Sequence, residues 1–151
     1  MGQKFLKISH EKVIGTDEQI EILYDQLKNR NCGISHKLLP QYQDHSKFVK
    51  NHPYRYWAIV SENNLPVGTI YLQKDNSIGI NLQQPTRHLI SKTLRHIREN
   101  FEPTKEIKSK ISSYFYVNVA YANEKLIKIL LELNATPLQI SYKFCGDDLD
   151  A

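Results

Sequence analysis

The segment NSIGINLQQPTRHLISK, residues 76–92, constrains the fold of this chain more than any other. It predicts a short apolar strand, Ile78–Leu82, followed by a turn marked by Pro85 and then by the start of a helix. Another strand, Pro66–Lys74, comes just before it and ends in a tight turn. Two strands in succession that lead directly into a helix predict a sheet with helices packed on its faces.

The other elements complete a single mixed domain. Thr16 and Gln19 have the spacing of a capping box at the start of a helix whose apolar residues recur on one face. In chain order, the remaining predicted elements are a strand at Phe5–Ile8, a helix from Pro40 to about Asn51, strands at Tyr54–Ser61 and Tyr114–Tyr121, a helix at Glu124–Leu133 and a final strand at Pro137–Phe144. The order β-α-α-β-β-β-α-β-α-β predicts an α/β (α+β) fold, with a mixed, largely antiparallel sheet flanked by helices on both faces.

Composition places the chain among ordinary globular proteins. Its 151 residues fit one domain, residues 1–144, followed by an acidic tail at residues 145–151. The net charge of +4 suits an anionic ligand. Two cysteines without a CxxC motif indicate a reducing compartment, and no apolar run is long enough for a signal peptide or a membrane span. We therefore expect a cytoplasmic protein with no membrane partner.

Two patterns resemble the GCN5-related N-acetyltransferase (GNAT) superfamily over about residues 4–144. PVGTIYLQKDNSIGINL, residues 66–82, is similar to that family's middle hairpin and cofactor-binding strand. VNVAYANEKLIKILLELNA, residues 117–135, is similar to its late strand and the Asn-led helix that follows. The resemblance implies a GNAT-like domain that uses acetyl-CoA or another acyl-CoA as its co-substrate.

The same resemblance assigns the cofactor-binding residues. Pantetheine would pair with the backbone of the cofactor strand, like an added half-strand. The pyrophosphate would lie on free N–H groups at the next helix N-terminus. The positions implied for cofactor binding are Ile80, Asn81, Leu82, Arg87, His88, Leu89 and, at the start of the late helix, Asn123.

Two departures from the family pattern leave the function open. The family's turn reads roughly Arg/Gln-x-x-Gly-x-Gly/Ala, whereas residues 84–91 contain no glycine, and we expect Leu89 and Ile90 to obstruct the phosphates. Seven residues after Asn123, where the family often has a tyrosine as general acid, the chain has Leu130. The first hypothesis is an N-acyltransferase acting by direct attack of a small-molecule amine, with an amino sugar as the suggested acceptor. The alternative is a catalytically inactive domain of the same fold with a binding or assembly role.

Candidate catalytic residues follow from the needs of acyl transfer to an amine. His52, at the junction between a predicted helix and strand, is our candidate base, with a capping or surface role as the alternative. The other nearby bases are His36, His45 and Glu62, of which His45 is expected to pack. Tyr116 and Tyr142 are candidates to replace the missing proton donor, although strand tyrosines ordinarily serve cross-strand packing.

Other kinds of partner are less favoured by the pattern. The helix that carries Arg87, Lys92, Arg95 and Arg98 is basic enough to contact a nucleic-acid backbone, but a solvated face explains it equally well. We expect no metal site, because His45 and His52 lie about two helical turns apart and no other ligands join them. A homodimer formed by edge pairing of the strand Pro137–Phe144 is a further expectation.

Overall fold

The computed structural model describes residues 6–30 and 38–145 of the chain. In these residues a five-stranded sheet runs in the order β1-β2-β3-β4-β5, antiparallel from β1 to β4 and parallel between β4 and β5. The elements are β1 Ile8–Lys12, α1 Asp17–Lys28, α2 Tyr42–Lys50, β2 Tyr56–Glu62, β3 Leu65–Leu72, β4 Ser77–Leu82, α3 Arg87–Asn100, β5 Tyr116–Asn118 and α4 Glu124–Glu132. The predicted mixed fold with a largely antiparallel sheet is confirmed. None of the helices in residues 6–30 and 38–145 is both long and apolar enough to cross a membrane.

The sheet separates two apolar cores. On one face, helices α3 and α4 cover the alternate residues of the central strands, with Ile70, Ile90 and Ile97 fully buried. On the other face, helices α1 and α2 pack on Trp57 and Ile59 of β2. Period-two alternation sends successive side chains of a strand to opposite faces, so β2 and β3 contribute to both cores.

Local sequence signals explain where several elements begin and turn. Thr16 and Gln19 form the predicted capping box, in which the Thr16 hydroxyl accepts a hydrogen bond from the Gln19 N–H. The hairpin between β2 and β3 turns on Asn63 and Asn64, whose φ angles are 49° and 66°. Asparagine tolerates this left-handed conformation better than most residues, and two such residues in succession favour a tight hairpin.

Three predicted strands differ from those observed. The first strand begins at Ile8 and runs to Lys12, because the antiparallel register with β2 pairs Ile8 with Glu62 and Lys12 with Ala58. Strand β5 extends over only three residues, Tyr116–Asn118, since it pairs only with the first half of β4. The predicted final strand, Pro137–Phe144, forms no strand at all.

The residues from Pro137 to Phe144 instead lie on the surface. Leu138, Ile140, Tyr142 and Phe144 are 58–83% exposed, although the alternation of apolar and polar residues is typical of a half-buried strand. The prediction of a strand here is wrong, because a strand also needs a partner and no described strand pairs with this segment. Of the predicted acidic tail, only Cys145 lies within the described residues, where it is exposed.

Asn76 ties the β3–β4 turn to the connector that follows α3. Its φ of 73° lies in the left-handed region and its side chain is fully buried. The side-chain amide donates to the carbonyls of Thr104 (3.3 Å) and Ser112 (2.8 Å), while Oδ1 accepts from the Thr104 N–H at 2.7 Å. A single side chain therefore satisfies three backbone groups that burial would otherwise leave unpaired.

A pair of histidines joins β1 to α3. The rings of His10 and His96 stack with their centroids 4.1 Å apart and their planes inclined by 8°. Thr93 Oγ1 lies 3.2 Å from His10 Nε2, and the Tyr56 hydroxyl lies 2.8 Å from His96 Nε2. Burial, followed by the neighbouring His96, lowers the pKa of His10 from 6.5 to about 4. Burial also lowers the pKa of His96, so both rings are neutral at neutral pH.

Candidate active site

Strands β4 and β5 diverge halfway along β4. Their parallel pairing covers only Ser77, Ile78 and Gly79 of β4, so the last three residues of that strand pair with β3 alone. Among residues 6–30 and 38–145, no strand pairs with the edge of β4 from Ile80 to Leu82 on the side where β5 would otherwise continue. An open strand edge can accept an extended, amide-containing ligand.

The direction of the backbone groups at this edge follows from neighbouring hydrogen bonds. The carbonyl of Asn76 accepts from the Tyr116 N–H of β5, while the carbonyl of Ser77 accepts from the Gln73 N–H on the β3 side. Because these directions alternate along a strand, the N–H and C=O groups of Ile80 and Leu82 face the gap. The backbone of Asn81, between them, faces β3. Two of the three residues assigned to pantetheine therefore offer backbone groups to a ligand.

Helix α3 begins beside this gap. Thr86 caps it, its hydroxyl accepting from the Leu89 N–H at 3.1 Å. The N–H groups of Arg87 and His88 fall in the first turn of the helix, which has no intrahelical acceptors for them. The helix dipole and the Arg87 side chain add positive potential at this end.

The side chains expected to block this helix end are turned away from it. Leu89 is 1% exposed and Ile90 is fully buried, and both pack in the core between α3 and the sheet. The expectation that they obstruct the phosphates is therefore wrong. Helical geometry explains why these two side chains point away from the turn. Leu89 and Ile90 belong to the apolar stripe of α3 that packs on the sheet.

A cavity of about 500 Å³ opens on the α1–α2 face of the sheet and reaches the gap. It continues along β4 to the start of α4, where Asn123 and Lys125 contribute to its wall. Its other lining residues in the described chain include Leu23, Gln26, Arg30, Asp44, His45, Phe48, Tyr54, Trp57, Thr69, Tyr71, Ile80, Asn81 and Leu82. The volume is in the range of a site for a small molecule.

One end of the cavity is walled by aromatic rings. Tyr54 and Tyr71 stack with their centroids 4.4 Å apart, and Phe48 packs edge-on against both Tyr54 and Trp57 at 5.9 Å. The Trp57 indole N–H donates to the Thr69 hydroxyl inside the sheet, so the indole ring presents an apolar face. Ring faces of this kind are suited to contact with flat or apolar groups.

Gly79 makes room for this aromatic wall. It lies opposite Tyr71 in the β3–β4 register, and a Cβ at this position would overlap the tyrosine ring. With no side chain at Gly79, the Tyr71 ring lies across the neighbouring strand and stacks on Tyr54. A glycine inside a strand often marks such a close approach.

The electrostatics of the cavity are mixed. Burial raises the pKa of both Tyr54 and Tyr71, and the nearby Arg30 acts in the opposite direction, so both hydroxyls stay neutral and can donate hydrogen bonds. Gln26 donates from Nε2 to the Gly68 carbonyl at 3.2 Å, which leaves its Oε1 a buried acceptor without a partner among the described residues. A ligand N–H would satisfy such a group.

The three predicted catalytic residues are not brought together. His52 is not among the residues that line the cavity; its ring lies 5.2 Å from that of Trp57, and burial lowers its pKa. Tyr116 donates its hydroxyl to Asp75 Oδ2 at 3.1 Å, and burial raises its pKa. Tyr142 is 83% exposed in the segment that forms no strand.

The other candidate bases predicted from the sequence are His45, Glu62 and His36. His45 packs as expected, 4% exposed with Nε2 3.1 Å from the Ile20 carbonyl. Glu62 lies at the end of β2, paired with β1, and does not line the cavity. His36, like Cys32, lies outside the described residues.

The start of α4 behaves as its sequence implied. The Asn123 side chain caps the helix by accepting from the Leu126 N–H at 3.3 Å. Leu126 and Leu130 point into the core, so this helix offers no acid at the position where a tyrosine was expected from the family pattern. Within the described residues, no group of three or more His, Cys, Asp or Glu side chains could hold a metal ion.

Sequence reasoning missed the aromatic wall and Gln26. The aromatic residues come from α2, from the connector before β2, and from β2 and β3, and only the fold brings them to one place. Gly79, opposite Tyr71, was the one signal available, because an isolated glycine in a strand suggests a close approach.

Solved structures with the same fold have been determined. A domain from Methanocaldococcus jannaschii DSM 2661 aligns with a TM-score of 0.60 at 19% identity, covering 86% of this chain and 88% of that one. A possible acetyltransferase from Clostridium difficile 630 aligns with a TM-score of 0.53 at 14% identity, covering 93% and 97%. An aminoglycoside acetyltransferase from an uncultured soil metagenomic sample, in complex with sisomicin, aligns with a TM-score of 0.51 at 15% identity, covering 93% and 96%.

These likenesses establish the class of fold. The chain has the GNAT-like fold that its sequence patterns resemble, with the mixed sheet, the helix order and the divergence of β5 from β4 all present. No family model and no curated protein matches the chain.

Proposed function

We propose that this protein is an N-acyltransferase that transfers an acetyl or other acyl group from acyl-CoA to the amine of a small molecule. The observation that carries the proposal is the open edge of β4 beside the free N-terminus of α3. An extended amide chain and a pyrophosphate need these two features side by side. Without a ligand-binding purpose, an unpaired strand edge at the centre of a sheet would be a liability.

The residues present fit the cofactor. The backbone groups of Ile80 and Leu82 would pair with the pantetheine amides, while Asn81 contributes its side chain to the cavity wall. The N–H groups of Arg87 and His88 would hold the pyrophosphate, whereas that of Leu89 is already used by the Thr86 cap. Glycine is not needed here to avoid bulky side chains, because Leu89 and Ile90 at the start of α3 point into the core.

Acyl transfer to a neutral amine depends little on a dedicated acid or base in the protein. The amine attacks the thioester carbonyl as its free base, and an apolar wall favours this neutral form. As the N–C bond forms and the C–S bond breaks, the departing sulfur of CoA would take up the proton that the amine loses. The N-terminus of α4, where Asn123 and Lys125 line the same cavity, would stabilise the negative charge on that sulfur. His52 remains our candidate base only if water relays the proton past Trp57. Tyr116 and Tyr142 remain candidates only if their segments rearrange.

The described lining favours an aromatic or apolar amine over a polycationic amino sugar. The wall formed by Phe48, Tyr54, Trp57 and Tyr71 presents flat ring faces rather than paired hydrogen-bonding groups. Of the charged residues in the described lining, Asp44 is the acidic one and two are basic, so attraction for several ammonium groups is weak. An amino sugar, as bound by the metagenomic aminoglycoside acetyltransferase, is the alternative acceptor.

Calorimetric titration with CoA and with acetyl-CoA tests the cofactor site. Leu82→Pro removes the N–H that faces the gap but leaves the hydrogen bonds to β3 intact, and we expect affinity to fall by about tenfold. Leu82→Ala keeps the N–H and is the matched control, with near-normal affinity expected. Absence of CoA binding by the unaltered protein would refute the proposal and favour a non-catalytic domain of the same fold.

An acceptor series then tests the second half of the proposal. Release of CoA thiol is measured with 2-phenylethylamine, 2-cyclohexylethylamine and sisomicin as acceptors. We expect Tyr54→Leu to lower turnover of 2-phenylethylamine about three- to tenfold through lost ring contact. Tyr121→Leu, at a side chain that is 92% exposed, is the control. Faster turnover of sisomicin than of either monoamine would contradict the aromatic acceptor while leaving acyl transfer in place.

A further inference from the structure

A second cavity lies between strand β1 and helix α3, on the face of the sheet opposite the aromatic wall. Its volume is about 300 Å³, at the lower end of the range for small-molecule sites. The described residues that line it are almost all charged or titratable, which sets it apart from the larger cavity. They are Ile8 and His10 of β1 and Lys92, Arg95, His96 and Glu99 of α3.

Helical spacing brings the four α3 residues to one side of the helix. Lys92 and His96 are four residues apart, as are Arg95 and Glu99, so these side chains occupy neighbouring positions on the helix surface. They border the apolar stripe that packs on the sheet, where Ile97 is fully buried. Helix α3 also contacts β1, so this polar border faces the strand that carries the other two lining residues.

The two cationic side chains of the cavity have no carboxylate partner. Neither Lys92 nor Arg95 forms a salt bridge with any residue in the described part of the chain. Glu99 is the acidic residue of the described lining, so two positive charges face one negative charge before either histidine is protonated. Unpaired cations that line one cavity attract an anion, and Arg and Lys hold phosphate groups through charge-assisted hydrogen bonds.

The stacked rings of His10 and His96 can add to this positive charge. Burial lowers the pKa of both rings, and the neighbouring His96 further lowers the pKa of His10. An anion beside the rings would oppose both effects, because it favours the imidazolium form. Linkage then requires the anion to bind more tightly as the pH falls through the range in which histidines titrate.

The groups around the two rings agree with this sign. Glu99 favours protonation of its histidine neighbour on α3, whereas Lys92 and Arg95 disfavour protonation until an anion neutralises them. Thr93 of α3 and Tyr56 of β2 are the hydrogen-bonding partners of the ring Nε2 atoms. Neither titrates near neutral pH, since threonine does not ionise there and burial raises the pKa of Tyr56.

The ring geometry favours an anion over a metal ion. The planes of His10 and His96 are inclined by only 8° with their centroids 4.1 Å apart, so the in-plane lone pairs of the two rings cannot meet at one cation. One nitrogen of each ring is already hydrogen bonded to a hydroxyl group. Protonated rings in the same positions can each direct an N–H group or a positive charge at an oxyanion.

We propose that the cavity between β1 and α3 binds the phosphate group of a small molecule, which Lys92 and Arg95 hold and which the rings of His10 and His96 stabilise when protonated. None of the residues proposed to bind CoA is among the described residues that line this cavity. The proposal is therefore independent of the acyl-transfer chemistry.

Calorimetric titration with inorganic phosphate and with adenosine monophosphate at neutral pH tests the site. We expect Lys92→Gln and Arg95→Gln each to weaken binding about tenfold, because each removes a charge-assisted contact. Arg98→Gln removes the same charge from an exposed position of α3 outside the described lining and is the matched control, with affinity within about twofold of the unaltered chain. Equal affinities identify the free anion as the ligand, and tighter binding of the nucleotide identifies a phosphate carried by an organic molecule. Both results support the site.

The dependence on pH tests the part played by the histidines. Sulfate keeps two negative charges between about pH 5.5 and about pH 7.5, the range in which histidines titrate. We expect sulfate to bind about three- to tenfold more tightly at the lower pH, and His10→Gln to reduce this difference. A cavity in which the rings served only as packing would bind sulfate equally at both pH values.

Two results would overturn the proposal. The first is the absence of saturable binding of phosphate and of adenosine monophosphate up to about 10 mM. The second is binding that survives Lys92→Gln and Arg95→Gln but is lost in Arg87→Gln, since the anion would then lie at the N-terminus of α3. Lys92 and Arg95 are exposed, so their variants should fold, and circular dichroism checks that they do.

Discussion

Acidification should loosen the contact between β1 and α3 through the stacked histidines. The pKa of His10 is about 4 in the folded chain against 6.5 ordinarily, so the unfolded chain binds more protons between these values. The contribution of His10 to the free energy of unfolding is therefore fully present above about pH 6.5 and is lost as the pH falls towards about 4. The shift in the pKa of His10 limits this contribution to about 3 kcal/mol. Solvent screening of the partly exposed ring reduces it to about 1–2 kcal/mol.

Urea unfolding followed by circular dichroism at several pH values measures this loss. Replacement by His10→Gln keeps a hydrogen-bonding group near Thr93 but removes the titration, so we expect a flatter dependence of unfolding free energy on pH. Arg95, Lys92 and Glu99 surround the pair and stay in place in both proteins. His88→Gln, at an exposed position in α3, is the control. An equal acid slope for His10→Gln and the unaltered chain would refute the reasoning.

Two further substitutions test contacts that position the site. Asn76→Asp replaces the amide that donates to the Thr104 and Ser112 carbonyls by a buried carboxylate. The free energy of unfolding, measured by chemical denaturation, should therefore fall by about 3 kcal/mol. A loss under about 1 kcal/mol would contradict this account. Gly79→Ala should displace the Tyr71 ring and cost about 1–3 kcal/mol through overpacking, and thermal melting of the double variant Gly79→Ala with Tyr71→Ala should recover part of the loss, whereas additive losses would contradict the contact.

The sequence predicted those elements whose signals are local. The capping box of α1 needs only Thr16 and Gln19, and the β2–β3 hairpin needs only its Asn-Asn turn. Elements that depend on distant partners were less predictable. Strand β5 is short because β4 diverges from it, and no strand in the described part of the chain pairs with Pro137–Phe144. The alternation of residues in both segments is nevertheless typical of a strand.

The candidate site divides in the same way. Strand β4 and the start of α3 were predictable, because a strand, a turn and a capped helix follow one another directly. The orientation of Leu89 was not, since it depends on which stripe of α3 meets the sheet. His52 lies at the junction between α2 and β2 that the sequence predicts, but its contact with the Trp57 ring depends on the fold.

The division of the molecule into two cores has a consequence for how such a protein changes over time. The rings that would meet an acceptor belong to the α1–α2 face, while the start of α3 is anchored in the opposite core through Leu89 and Ile90. Substitutions in one layer therefore leave the packing of the other largely intact. Selection or design can remodel the acceptor wall around Tyr54 and Tyr71 while the turn proposed to hold the pyrophosphate keeps its shape.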